Sequence, residues 1–303
     1  MRYALCNNAM IPKEILKQIR RIQITTSRMV TDVFAGQYQS VFKGRGMEFD
    51  EVRQYFPGDD VRSIDWNVTA RTGEPYVKKF VEERELTVML LLDLSHSGYF
   101  GTVNKLKRQL AAEICSLLTF AAMQNNDKVG LIAFTDRIEK FVPPRKGLRH
   151  ALRIVREALY LKPQSKKTNI SGALEYLNRV SRRRTVSFII SDFYDDGFEK
   201  LLSIANKRHD ITAITITDPK EIDLPDVGLI ALCDPETGNE TLVDSSNPEI
   251  RKQFNENAMR IFEERSRCFK RIKVDSVDIR TDVPYSKTLF SFFRMRERRA
   301  RSA

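Results

Sequence analysis

Residues Leu86 to Gly98 read LTVMLLLDLSHSG, and this stretch decides the fold. Leu86 to Leu92 is an apolar run without polar alternation, the pattern of a short strand buried on both faces. It stops at Asp93, and Asp93-Leu94-Ser95-His96-Ser97 leads to a turn closed by Gly98. Polar groups at the C-terminal end of such a strand lie where open α/β sheets place their ligand crevice. The spacing Asp-x-Ser-x-Ser sets one carboxylate and two hydroxyls on one tight loop. That all-oxygen set suits a hard cation, Mg2+ or alternatively Mn2+.

Downstream, strand and helix patterns alternate. Helices are expected over Lys105–Asn125, Leu148–Leu161, Ile170–Val180, Phe198–Lys207 and Asn247–Arg267, with a last one from Pro284 to about Arg299. Strands are expected over Lys128–Phe134, Thr185–Ile190, Ile211–Thr217, Gly228–Leu232 and Ile272–Ile279, with a short edge strand at Ile138–Val142. Strands separated by helices of this length predict a doubly wound, mainly parallel sheet flanked by helices. Two further segments then reach the same sheet edge: Ser191-Asp192 after an apolar strand, and Lys166-Lys167-Thr168-Asn169 before a helix. Asp93, Ser95, Ser97, Thr168 and Asp192 together form the candidate metal set. Each loop alone is also a plausible helix cap.

Upstream of Leu86 the grammar differs. Ile15, Ile19, Ile22 and Met29 recur at helical spacing over Ile11–Phe34, with Lys and Arg on the other side. Gly36 to Arg84 is polar and rich in turns. There Arg53, Asp59, Asp60, Arg62, Asp65 and Arg71 interleave charges around Trp66, the only tryptophan. Such a cluster reads as an ion-pair network fixing an irregular segment, or as a binding surface.

The chain of 303 residues has 42% hydrophobic and 30% charged residues and a net charge of +11, which favours an acidic partner. Arg294, Arg296, Arg298, Arg299 and Arg301 concentrate positive charge near the end. No run approaches the ~20 apolar residues of a membrane span. Four scattered cysteines without a CxxC pair suit a reducing cytoplasm. Catalytic motifs do not fit: Ser95 replaces the second aspartate of a haloacid-dehalogenase-type site and the first glycine of a nucleophile elbow. Gly44-Arg45-Gly46 lacks the third glycine of a dinucleotide loop, and no Walker loop occurs. No enzymatic activity is expected.

Asp93-Leu-Ser-His-Ser97, Thr168 and Asp192 resemble the metal-ion-dependent adhesion site of von Willebrand factor A domains. The block from Gly44 to Phe80, GRGMEFDEVRQYFPGDDVRSIDWNVTARTGEPYVKKF, is similar to the signature of the bacterial domain of unknown function 58 family. The resemblance implies a von Willebrand factor A-like unit over residues 85–283, a family-specific helical and irregular or β extension over 1–84, and a basic helix over 284–303. It further implies a Mg2+-dependent protein-interaction module that docks an acidic residue of a partner. A MoxR-type AAA+ ATPase is the implied partner, in protein maturation or complex assembly. The alternative is a nucleic-acid or anionic-surface binder working through the C-terminal helix, where Phe290, Phe292 and Phe293 either stack on bases or, the favoured reading, dock onto the domain.

Overall fold

The computed structural model describes residues 48–81, 85–103, 105–235 and 238–302, so the helix expected over 11–34 lies outside it. Strands β3 (Thr87–Asp93), β4 (Lys128–Phe134), β5 (Ile138–Arg145), β6 (Val186–Ser191), β7 (Asp210–Thr217) and β10 (Asp275–Arg280) form one sheet in the order β10-β7-β6-β3-β4-β5. Neighbours are parallel except for the antiparallel edge strand β5. Counted within this sheet, the order is the 3-2-1-4-5-6 arrangement of doubly wound folds, and the winding reverses beside β3. The sheet is thus the doubly wound, mainly parallel one expected.

The apolar run of β3 is the reason it lies centrally. Val88, Leu90 and Leu92 join the core on one face, and Met89 and Leu91 join the core on the other, all fully buried. Helices α2 (Lys107–Gln124), α3 (Leu148–Tyr160) and α7 (Tyr285–Ser302) cover the first face. Helices α4 (Ile170–Val180), α5 (Glu199–Arg208) and the end of α6 (Pro248–Arg271) cover the second. The edge strand β5 runs past the expected Val142 through Pro143 and Pro144 to Arg145, which is tolerated at an edge because the register of β4 and β5 is irregular there, between the pairs Leu131–Val142 and Val129–Arg145. Gly130 of β4 is required there: a Cβ would meet the Met89 sulfur at 2.8 Å and the Val142 carbonyl oxygen at 2.9 Å.

Three departures have local causes. β8 (Leu229–Cys233) lies outside the main sheet and pairs with β9 (Glu240–Asp244), an unexpected strand, in a hairpin with largely exposed side chains. β10 begins at Asp275, three residues later than expected, because Lys273 turns the chain in the left-handed region. Within the 1–84 extension, β1 (Glu48–Gln54) and β2 (Tyr76–Val81) form an antiparallel pair of their own, joined through a 3-10 turn and the short helix α1 (Trp66–Thr72).

Charges in that extension act mainly locally. Arg53 Nη2 and Nη1 reach the two oxygens of Asp59 at 2.7 and 2.9 Å. Asp60 accepts from Arg62 N–H and caps the 3-10 turn, and Asp65 caps α1 by accepting from Asn67 and Val68 N–H. Arg62 and Arg71 are exposed. So are Trp66, at 67%, Phe56 and Val61.

Candidate metal centre

β3 and β6 are adjacent and parallel, so the ends of both strands come out together at the point where the winding reverses. Asp93 closes β3, and its Oδ1 accepts from Ser95 N–H at 2.8 Å, an Asx turn that folds the loop back on itself. The turn brings Ser95 Oγ to 3.0 Å from Ser97 Oγ. On β6, Ser191 Oγ donates to Asp93 Oδ2 at 2.6 Å, tying the two strand ends together. Asp192 follows, and the next residue, Phe193, takes a φ of +58°, a strained conformation for an aromatic side chain. That reversal lets Tyr194 N–H donate to Asp192 Oδ1.

Asp93, Ser95, Ser97 and Asp192 line one cavity of about 20 Å3, together with Lys107 and Arg108. Such a volume holds one ion or one water and excludes an organic substrate. Thr168 does not line it. Its loop runs alongside, since His96 N–H donates to the Lys166 carbonyl at 2.9 Å, and the capping reading holds for its neighbour Asn169, whose Oδ1 accepts from Gly172 N–H.

Four contributors escaped the sequence reading. Lys107, the first residue of α2, is 3% exposed, and its Nζ lies 2.7 Å from Asp192 Oδ2 and 2.5 Å from Glu221 Oε1. Glu221 is held in turn, its second oxygen accepting from Asp218 N–H. Arg265 of α6, also buried, donates from Nη1 to the Asp192 carbonyl at 2.8 Å. Ser191 is the fourth. A signal for Lys107 was present: it shares a helical stripe with Leu110, Ala111 and Ile114, where a charge is out of place.

Electrostatics distinguish the two aspartates. Burial, reinforced by the nearby charge of Asp192, pushes the Asp93 carboxyl up to about 7 despite its hydrogen bonds. Burial alone would raise Asp192 too, but the Lys107 ammonium holds it below the usual carboxylate range. Burial also opposes the charge on Lys107, and Asp192 and Glu221 more than restore it.

Among the described residues no three His, Cys, Asp or Glu side chains cluster to hold a metal. The donor set here is of another kind, two carboxylates plus hydroxyls, and it fits a hard divalent ion. Asp93, half-buried beside a second carboxylate and ion-paired with no cation among the described residues, is the observation that supports the fit. Next to the cavity, and sharing Ser97 with it, runs a groove of about 690 Å3 lined by Tyr99, Phe100, Tyr194 and Phe254 among others.

A model of the family described as protein of unknown function DUF58 matches residues 51–264. The chain is similar to uncharacterized protein Rv1480 of Mycobacterium tuberculosis, 32% identical over 288 residues, covering 93% of this chain and 90% of that protein. It is also similar to uncharacterized protein MAV169 of Mycobacterium avium, 28% identical over 165 residues, 52% of this chain and 95% of that one. Among solved structures, that of conserved hypothetical protein BatB from Bacteroides thetaiotaomicron aligns with a TM-score of 0.44 at 17% identity, covering 70% of this chain and 99% of that chain. The SpRpn10 VWA domain aligns with a TM-score of 0.37 at 13% identity, covering 70% and 95%.

Proposed function

The chain belongs to the DUF58 family, and from that premise we propose that it is a non-enzymatic protein-interaction module whose contact with a partner depends on Mg2+. The observation that carries this reading is the convergence of Asp93, Ser95, Ser97 and Asp192 on a one-ion cavity where the winding reverses. Those four residues would hold the ion, and Thr168 is the fifth ligand that the family resemblance implies. Mg2+ bound there would supply a Lewis-acidic contact for an acidic side chain of the partner. The chain's own residues do the rest. Ser191 and the Ser95 N–H orient Asp93, and Tyr99, Phe100 and Tyr194 offer apolar surface to residues flanking the partner's acid.

A MoxR-type AAA+ ATPase is the partner class we favour, on family resemblance. A cytoplasmic setting suits the free thiols of Cys115, Cys233 and Cys268. No helix among the described residues is long and apolar enough to cross a membrane. The C-terminal helix keeps Arg294, Arg298 and Arg299 exposed for the nucleic-acid alternative, but two of its three stacking rings are lost to packing. Phe292 and Phe293 are buried in the core, and Arg296 is bound to Asp210 at 2.7 Å and Asp275 at 3.1 Å.

Affinity capture on the immobilised full chain tests the proposal. Proteins retained in Mg2+ are expected to elute with chelator and to be lost from an Asp93→Ala column. Retention that ignores both chelator and the substitution would contradict a metal-dependent contact.

A further inference from the structure

Lys107 is the least expected feature of the site. A lysine is rarely buried this far, and the N-terminal end of a helix disfavours a cation. Two carboxylates nevertheless hold its ammonium, one of them the candidate metal ligand Asp192 and the other Glu221, which does not line the one-ion cavity. Arg265 faces the Asp192 carbonyl and Arg108 lines the same cavity, but the Lys107 ammonium is the cation in direct contact with the carboxylate oxygen that a divalent ion would need.

Resting on the Mg2+ reading above, we infer that Lys107 is a resident cation that competes with the divalent ion for Asp192 and keeps the site's affinity low and releasable. The two positive charges cannot both use the same carboxylate oxygen, and within about 5 Å their repulsion is substantial even at an effective dielectric of about 20. Glu221 provides the ammonium with a partner outside the metal set. Glu221 and Lys220 also line the groove that shares Ser97 with the cavity, so competition at Asp192 reaches the surface offered to a partner.

The test is Mn2+ titration of the chelator-stripped full chain, read by the loss of the free-ion electron paramagnetic resonance signal. Lys107→Met is expected to bind Mn2+ at least about 10-fold tighter than the unsubstituted chain. Glu221→Gln, which leaves the ammonium with Asp192 alone, is expected to bind it more weakly. Opposite signs exclude a merely structural role, which would weaken both. Because Lys107→Met strands two buried carboxylates, Lys107→Met/Glu221→Gln serves as the second variant, again expected to bind tighter; circular dichroism checks folding. Equal or weaker binding by a folded Lys107 variant overturns the competition and leaves the Mg2+ reading standing. If neither Lys107 variant folds, unchanged binding by Glu221→Gln overturns it. An unsubstituted chain that binds no Mn2+ overturns the Mg2+ reading and the competition with it.

Discussion

Asp93→Asn is expected to strengthen the fold and silence the site in the same protein. In chelator at pH 8 the substitution should raise stability by roughly 1–3 kcal/mol, because it removes a buried charge held beside a second carboxylate. The amide keeps the needed hydrogen bonds: its oxygen accepts from Ser95 N–H, and its nitrogen donates to Ser191 Oγ in place of the present contact. The sign with pH follows from the raised pKa. An aspartate pushed up to about 7 from an ordinary 3.8 takes up a proton more readily in the folded chain, so its ionisation penalises folding as pH rises through that window. The advantage of Asp93→Asn over the unsubstituted chain is therefore greatest above pH 7 and closes as pH falls toward 4. Partner capture in Mg2+ should meanwhile fall about 100-fold, the few kcal/mol expected for a lost charged ligand. Urea unfolding at pH 4.5 and pH 8, paired with capture assays, reads both effects. A variant less stable than the original at pH 8 would make Asp93 a structural anchor.

Phe293→Ala is expected to cost about 3–5 kcal/mol, among the largest losses any single substitution should cause. Phe293 is fully buried, with its ring edge-on to Phe188 of β6 at 6.4 Å between centroids and to Phe292 at 5.4 Å. Leu289 and Phe292 beside it belong to the same core. The consequence is functional: the basic C-terminal helix is a wall of the domain, and its aromatic residues are committed to packing. If denaturant unfolding instead found a loss below about 1 kcal/mol, α7 would be a loosely held arm and not a wall of the domain.

The parts of this architecture that were legible in the sequence share one property, a pattern long enough to be read locally. The continuous apolar run ending at Asp93 could only be a central strand, and the helices after it carried clear stripes. The hairpins were opaque. β1, EFDEVRQ, has four charged residues in seven, and β9, ETLVD, is five residues long, so each owes its strand state to its partner rather than to its own composition. The site divides in the same way. Asp93, Ser95 and Ser97 fall within five residues, and Asp192 follows a readable strand. Lys107, Glu221 and Arg265 approach from three separate elements; Lys107 shows locally only as a charge in an apolar stripe, and its pairing across 85 and 114 residues cannot be read from the sequence. The resemblance of the Gly44–Phe80 block identified the family, while the acids in its middle proved to be caps and one arginine partner.

The most direct measurement is calorimetric titration of Mg2+ into the chelator-stripped full chain, alongside Asp93→Asn. One saturable site in the original chain and none in the variant is the predicted outcome. A chain that takes up no Mg2+, or a variant that binds it as well as the original does, would contradict a metal centre at the end of β3.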